Sequence, residues 1–457
     1  MLLKDPYTFV LRLTLVCLAG DILLTGGFML LRVPPVGPGV PINELLLAFD
    51  LIAILLMRHA NVGFSTTPVM LPLTLLWMQG TVHLVIGLYG GGFWAVRDAA
   101  SLIEAAYLFV GFWLASDPRF LPIFSLWLRR VLVVAAFYML LYPVQDYIVG
   151  ISPVVTGVSG YSVPLLFSYS DASTIAVTAA CQMMVSNYGA PMFRMLLTAA
   201  TVMVLVVFVQ ARLAYIQLGF LFLLVMIFKP QRLGGLGSTM LATAALVGLF
   251  LVSGIELPGR LGTTFTLDFL VNHLAAIWGS GGHDATTDAA AQGVGLRVGW
   301  WANIDNWLRQ DVSSWLFGLG YGNPLTTFRG PADDIVREPH NSFVSVYGRL
   351  GVFGLVNFIP LQIAIVATTV RLIVLSKRSG AIELHGLAIT ILCFLGAHLI
   401  FSLGEGGFEM SFAAVTYYFF AGVVLAQFKA LSAREADRYW WAASRDYGRR
   451  VRPDPIL

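Results

Sequence analysis

TFVLRLTLVCLAGDILLTGGFMLL, residues Thr8 to Leu31, is apolar over a length that a lipid bilayer selects. About 20 residues of helix cross the ~30 Å hydrocarbon core. The run is too long for a signal-peptide core, and no small-x-small cleavage pattern follows it, so it reads as a retained first span. Similar runs recur along the chain. Their centres fall near Leu18, Ile52, Leu76, Leu108, Val134, Ala179, Val204, Leu221, Val247, Ile363, Leu392 and Phe419. About twelve spans would use roughly 240 residues, about half of the 457 in the chain. Composition agrees: 58% of residues are hydrophobic and 12% charged, and mean hydropathy is +0.79. A soluble domain carries roughly 25% charged residues. A water-soluble enzyme and a disordered chain are both excluded, and no repeat of solenoid length is present.

The expected fold is therefore all-α: a polytopic membrane bundle of about 12 transmembrane helices. One long loop should carry short helices. Residues 1–257 hold nine spans, 258–341 the long loop, 342–428 three further spans, and 429–457 a basic tail. Cys17, Cys181 and Cys393 all lie in apolar runs, and their odd number suggests neither a disulfide framework nor a thiolate metal site.

Lys and Arg in short loops set orientation. With the N-terminus inside, cytoplasmic segments carry Lys4, Arg58, Arg119, Arg129, Arg130, Arg194, Lys229, Arg232, Arg371, Lys377 and Arg378, and the tail adds more. The opposite loop Gln145 to Asp171 has neither Lys nor Arg. Both termini should be cytoplasmic and the long loop outside, which in a Gram-negative cell is the periplasm. Arg212 and Arg97 break the pattern at the outer side. An edge arginine can snorkel, and Arg97 has Asp98 and Glu104 nearby as partners.

The most informative polar stretch is Trp315 to Gly354, WLFGLGYGNPLTTFRGPADDIVREPHNSFVSVYGRLGVFG. No strand precedes Gly318, Gly320 and Gly322, so a nucleotide fold is a poor reading. A tight turn whose bare amides approach an anion fits better. Gly348, Gly351 and Gly354 suit close helix packing. His340 follows Pro339, where a helix should begin. An imidazole at a membrane boundary suits a general base, with Glu338 two residues away to orient it; a structural histidine is the bland alternative. His273, His283, Asp284 and Asp288 match no metal-ligand spacing, and His83 and His398 read as packing residues. In Arg297 to Gln310, RVGWWANIDNWLRQ, the residues Arg297, Trp301, Ile304, Trp307 and Leu308 share one side at helical spacing. This pattern predicts a short helix lying on the outer leaflet with tryptophans at headgroup depth.

Three elements in this order resemble the O-antigen ligase and polymerase superfamily of bacterial membrane glycosyltransferases. They are Arg212 at an outer turn; Arg297 before Trp301, followed by Leu316-Phe317-Gly318-Leu319-Gly320-Tyr321-Gly322; and His340-Asn341-Ser342 with Gly351-x-x-Gly354. The resemblance covers the second half of the chain. The family often has Ser before the outer-turn Arg, where this chain has Ala211, and an acidic residue after the His-Asn pair, where it has Arg349. The resemblance implies a metal-independent, cofactor-free transfer of a glycan from an undecaprenyl diphosphate carrier, inverting the anomeric centre. His340 would act as base with Glu338 beside it, and Arg212, Arg297 and Asn341 would bind substrate. The implied partners are the lipid-linked donor, a glycan or lipid A-core acceptor, the bilayer and, for a polymerase, a chain-length regulator; nucleic acid is not among them.

Between the two reactions the long loop is informative. Arg260, Arg297, Arg309, Arg329 and Arg337 face Asp268, Asp284, Asp288, Asp305, Asp311, Asp333, Asp334 and Glu338, so the loop is net acidic. That suits a neutral glycan acceptor better than a phosphorylated core, and favours polymerisation of an O-antigen or exopolysaccharide repeat over ligation. A lipid-linked sugar flippase or transporter, and a scaffold for envelope assembly, are the alternatives from other classes.

Overall fold

The computed structural model describes residues 5–34, 39–57, 63–157, 162–167, 172–186, 189–253, 265–275, 285–329 and 335–450, with side chains except at 273, 285–292 and 436–450. Lys4, Arg58, His283 and Asp284 lie outside the described residues, as do the side chains of His273 and Asp288.

The first half is built from α1 (Pro6–Leu24), α2 (Ile42–Leu56), α3 (Met70–Gly91), α4 (Tyr107–Ala115), α5 (Phe120–Met139), α6 (Ala172–Val185), α7 (Pro191–Val204), α8 (Arg212–Phe228) and α9 (Leu233–Val252). Then come α10 (Ala285–Leu308), α11 (Ser342–Arg378), α12 (Ile382–Ser402) and α13 (Ser411–Arg450). All twelve expected span centres fall inside these helices. Among the described residues, 8 helices are long and apolar enough to cross a membrane: α1, α3, α5, α7 with its continuation to Val209, α9, α11, α12 and α13. The others are shorter: α2 has 15 residues, α6 has 14 and α8 has 17. α4 is the last piece of a broken helix whose earlier pieces are Phe93–Asp98 and Ala100–Glu104. The only strands among the described residues are two short antiparallel pairs, Arg32–Val33 with Val40–Pro41 and Val154–Thr156 with Ser162–Pro164.

Local chemistry sets the helix ends. Asp5 caps α1, accepting from the Thr8 amide, and Pro6 occupies the first turn, where its missing N–H costs nothing. Asn341 caps α11 through the amides of Phe343 and Val344 at 3.0 and 3.1 Å. α7 runs into a π-turn, Leu205–Val209, and then the left-handed Gln210 (φ 49°), after which Arg212 opens α8. At the centre α4 crosses α13 with backbones touching. A Cβ on Gly111 would stand 2.2 Å from the Phe419 carbonyl oxygen, and one on Gly422 would stand 2.2 Å from that of Leu108. Two bare surfaces can approach this closely without the hydrophobic effect, which is how helices associate in lipid.

Chain alternation gives the bundle two ends. One holds the starts of α8, α11 and α13 and the finish of α12; there Leu213 packs on Gly404, and Gly322 on Gly91. The other holds the finishes of α6, α8 and α11 and the starts of α7, α9 and α12; there Arg129 pairs with Glu383, and the Lys429 ammonium donates to the Gly63 carbonyl. Arg212, His340 and Asn341 lie at the first end.

Candidate functional site

Asn341 does more than cap α11. Its side-chain amide donates to the Leu403 carbonyl at 2.9 Å, which ties the start of α11 to the finish of α12. Ser342 continues the tie, donating to Glu409 at 2.6 Å and accepting from the Phe408 amide. The turn between α12 and α13 is thereby held under His340, which adopts a left-handed conformation (φ 51°). His340 Nδ1 lies 2.8 Å from Glu405 Oε2. Arg297 Nη2 donates to the other oxygen of the same carboxylate at 2.9 Å, and Nη1 to the Gly404 carbonyl at 2.7 Å. One carboxylate thus joins an imidazole from the start of α11 to a guanidinium from α10. The three side chains are 35%, 22% and 32% exposed in the order His340, Glu405, Arg297, so the cluster is open on one side.

Burial pushes the Glu405 carboxyl up, but the His340 hydrogen bond and the Arg297 charge outweigh it and hold the group below its ordinary 4.5. In the neutral imidazole, a carboxylate on Nδ1 favours the tautomer in which Nδ1 carries the proton and Nε2 the lone pair. Trp300 stacks on the imidazole with ring centroids 5.8 Å apart. Trp301 donates from its indole nitrogen to the Pro339 carbonyl at 2.9 Å, fixing the residue before His340.

Arg297 and the adjacent pair His340 and Asn341, which lie far from it in sequence, therefore meet. Arg212 starts α8, and its neighbour Leu213 lies against Gly404, beside Glu405. A cavity of about 400 Å³ adjoins that start, lined by Tyr138, Asp146, Phe167, Gln210 and Ala211 among others.

Four expectations are corrected. Glu338 pairs with Arg97 at 3.1 Å, and the carboxylate on His340 is Glu405. A peptide adjacent to Pro339 turns the two side chains to different partners. The glycine turn is not an open anion nest: the Gly318 amide donates to Ser314, that of Gly320 to Arg349, and that of Gly322 to Asp98. Its glycines serve contact instead, since a Cβ on Gly318 would meet the Arg349 backbone at 2.3 Å. The stripe of α10 faces protein: Ile304 and Leu308 are fully buried with Leu325 against Val344 and Tyr347. Finally, of the two acids expected beside Arg97, Asp98 is there at 3.6 Å, although Arg337 and Arg349 approach it more closely, whereas Glu104 makes no ion pair with Arg97 among the described residues.

That last group is a second structure missed in sequence. Asp98 has no exposed side-chain surface; Arg337 grips both its oxygens at 3.1 and 2.7 Å, Arg349 lies 3.0 Å away, and the Gly322 amide donates to it. Arg337 also lies over the Trp94 ring, 4.5 Å from its centroid. Arg349 is thus one of the two cations of this lock, with Arg337 the other.

His83 borders the same turn, its Nδ1 3.1 Å from where a Gly320 Cβ would stand, and His398 packs among Phe394, Phe408 and Tyr417. Among the described residues no group of three or more His, Cys, Asp or Glu is placed to hold a metal ion.

No protein-family model matches this chain, and no curated protein matches it. Helix length and hydropathy make it a multi-pass helical membrane protein.

Proposed function

We propose that the chain is an inner-membrane glycosyltransferase that moves a glycan from a polyprenyl diphosphate to an acceptor hydroxyl at the His340 end of the bundle. In this reading the helices make twelve crossings, both termini are cytoplasmic and the His340 end is periplasmic. The observation that carries it is the His340–Glu405–Arg297 cluster. A carboxylate that fixes one imidazole nitrogen leaves the other as a base, and it also stabilises the imidazolium that forms. His340 Nε2 takes the acceptor hydroxyl proton, the acceptor oxygen bonds to the anomeric carbon, and the bond from that carbon to phosphate oxygen breaks. The electron pair leaves on the diphosphate, and the anomeric centre inverts.

Arg297 retains N–H donors beyond the two it uses, because a guanidinium has five. With Arg212, at the α8 start beside Gly404, it neutralises charge developing on the leaving diphosphate. The 400 Å³ cavity beside Gln210 and Ala211 is of ligand-pocket size. Asn341 positions the two helices that carry the base and its carboxylate. Glu338, through Arg97, acts on the frame.

The test is transfer by the purified protein in nanodiscs, using a polyprenyl-diphosphate glycan donor with an oligosaccharide acceptor. The anomer of the product is read by NMR. An inverted product, lost about 10²–10⁴-fold in His340→Ala at equal folded protein, is expected. A retained anomer, or near-normal transfer by that variant, overturns the reading. Polymerisation is favoured over ligation by the acidic loop, three of whose arginines (Arg297, Arg309 and Arg337) are already paired with carboxylates. A deletion strain should then display at most one repeat unit; long polymer left on the carrier would instead indicate a ligase.

A flippase or transporter is favoured by one observation: Asp21, Asp50 and Glu104 are 1%, 0% and 1% exposed inside the helical region. Buried acids there commonly mark transport paths. Movement of a labelled lipid-linked sugar across vesicles, abolished by Asp50→Asn and untouched by His340→Ala, would support that reading.

A further inference from the structure

We propose that the end of the bundle opposite His340 holds a site for the phosphate head group of an anionic lipid, built from Arg194, Lys229 and Arg232. Arg194 lies in the first turn of α7 and is 9% exposed; Lys229 follows α8 and is 7% exposed. Cations this deeply buried are rare unless paired. Arg194 makes one hydrogen bond, from Nη1 to the Ser186 carbonyl at the finish of α6, while its buried Nε has no partner. Burial, and then the charges of Arg232 and Lys377, push the Lys229 ammonium below its ordinary value. The cations therefore repel one another, and a bound anion would remove that cost.

Room for the anion is present. A cavity of about 500 Å³ is lined by Arg194 and Arg232 together with Met183, Met192, Met195 and Leu236. A second, of about 510 Å³, reaches Lys229 from the side of Ser186; Glu383 also lines it, paired with Arg129 at 3.3 Å. The first turns of α9 read LGGLGS, and at Gly234, Gly235 and Gly237 nothing stands within 4 Å of where a side chain would be. Bare amides at a helix start attract phosphate.

The walls say that the phosphate belongs to a lipid. Met192, which lines the same cavity, is 63% exposed, and Leu196 on α7 and Leu233, Met240 and Leu241 on α9 are 51%, 45%, 51% and 73% exposed. An anion entering between α7 and α9 thus passes along an apolar outer surface, where acyl chains lie. Basic pockets between helix ends take anionic head groups in this way.

The experiment uses the full chain in detergent. Its unfolding temperature is followed during titration with short-chain phosphatidylglycerol, with phosphatidylcholine of equal chain length, and with inorganic phosphate. Phosphatidylglycerol should raise it saturably and the other two should not. Arg194→Gln should weaken the apparent affinity about tenfold. Gly235→Leu fills the cavity at an open position and leaves every charge in place, so it decides the matter should Arg194→Gln fail to fold; it should weaken affinity as much. An equal response to phosphatidylcholine, an undiminished response in Gly235→Leu, or a response that inorganic phosphate reproduces would each overturn the lipid site.

Discussion

Glu405→Gln keeps the shape of the site and removes one charge, and its effect can be worked from the geometry. Two donors converge on that carboxylate, His340 Nδ1 at 2.8 Å and Arg297 Nη2 at 2.9 Å. A carboxamide accepts a single hydrogen bond well from either and neutralises neither. As proton transfer begins, the imidazole becomes a cation without its counter-charge. An ion pair at about 4 Å near a protein surface is worth about 4 kcal/mol, which corresponds to about 10³ in rate. The cost to stability is smaller, about 1–2 kcal/mol, because side chains a fifth to a third exposed recover water. Transfer from a polyprenyl-diphosphate donor, at matched amounts of folded protein in nanodiscs, should thus fall about 10³-fold. Glu338→Gln is the control. Its partner Arg97 has 43% of its side chain exposed, so that pair is worth about 0–1 kcal/mol and activity should stay within about threefold. If Glu405→Gln retains activity within about tenfold of the parent, or Glu338→Gln is the more damaging change, the dyad assignment is wrong. A pH titration of stability gives an independent reading. The folded-state Glu405 carboxyl titrates below its ordinary 4.5, so its charge contributes stability that is complete above 4.5 and is lost as pH falls through the lower folded value. E405Q should lack that acid-side loss.

Lysine at position 212 or 297 keeps the charge and loses the planar fork, so Arg212→Lys and Arg297→Lys should both lose transfer activity; full activity in both would reduce them to edge anchors. Asp98→Asn leaves Arg337 and Arg349 without their counter-charge, and a thermal or denaturant unfolding assay should register about 3–5 kcal/mol of destabilisation; a change under about 1 kcal/mol would mean the lock is solvated. Fusions at Ala289 should be active with an external reporter such as alkaline phosphatase and those at Ser379 with a cytoplasmic one, and the reverse pattern would invert the proposed topology.

Hydropathy made the helices legible, because a bilayer rewards apolar length wherever it occurs; each of the twelve centres lies in a helix. It could not distinguish a long straight helix from the broken Phe93–Ala115 segment or the 14-residue α6, since kinks and early ends depend on packing partners. Arg297, His340 and Asn341 were legible as an ordered set of polar residues at one end. Glu405 was not, because it is brought in from a turn 65 residues beyond His340. One signal was available: Glu405 and Glu409 are the only charged residues between Glu383 and Lys429. A charge in a tight turn between two spans costs too much to be idle. The role of α10 was misread because its apolar stripe looks the same whether it faces lipid or protein; only the location of Leu325 and Val344 decides.

The Asp98 lock also bears on how the protein is made. Its carboxylate sits 224 residues before Gly322 and 239 before Arg337. A ribosome that has delivered the first nine helices has therefore supplied the anion and the adjacent Arg97, 3.6 Å from it, but neither of the two cations that grip it most closely. Closure of so long a span is entropically slow to begin and costs little more than a short one once it occurs. The two halves of the lock thus meet only after the start of α11 has emerged, and the His340 cluster is completed later still, when Glu405 follows α12. Chains stopped before Gly322 should display an accessible Asp98 to a carboxyl-directed label, and chains extended past Arg349 should hide it.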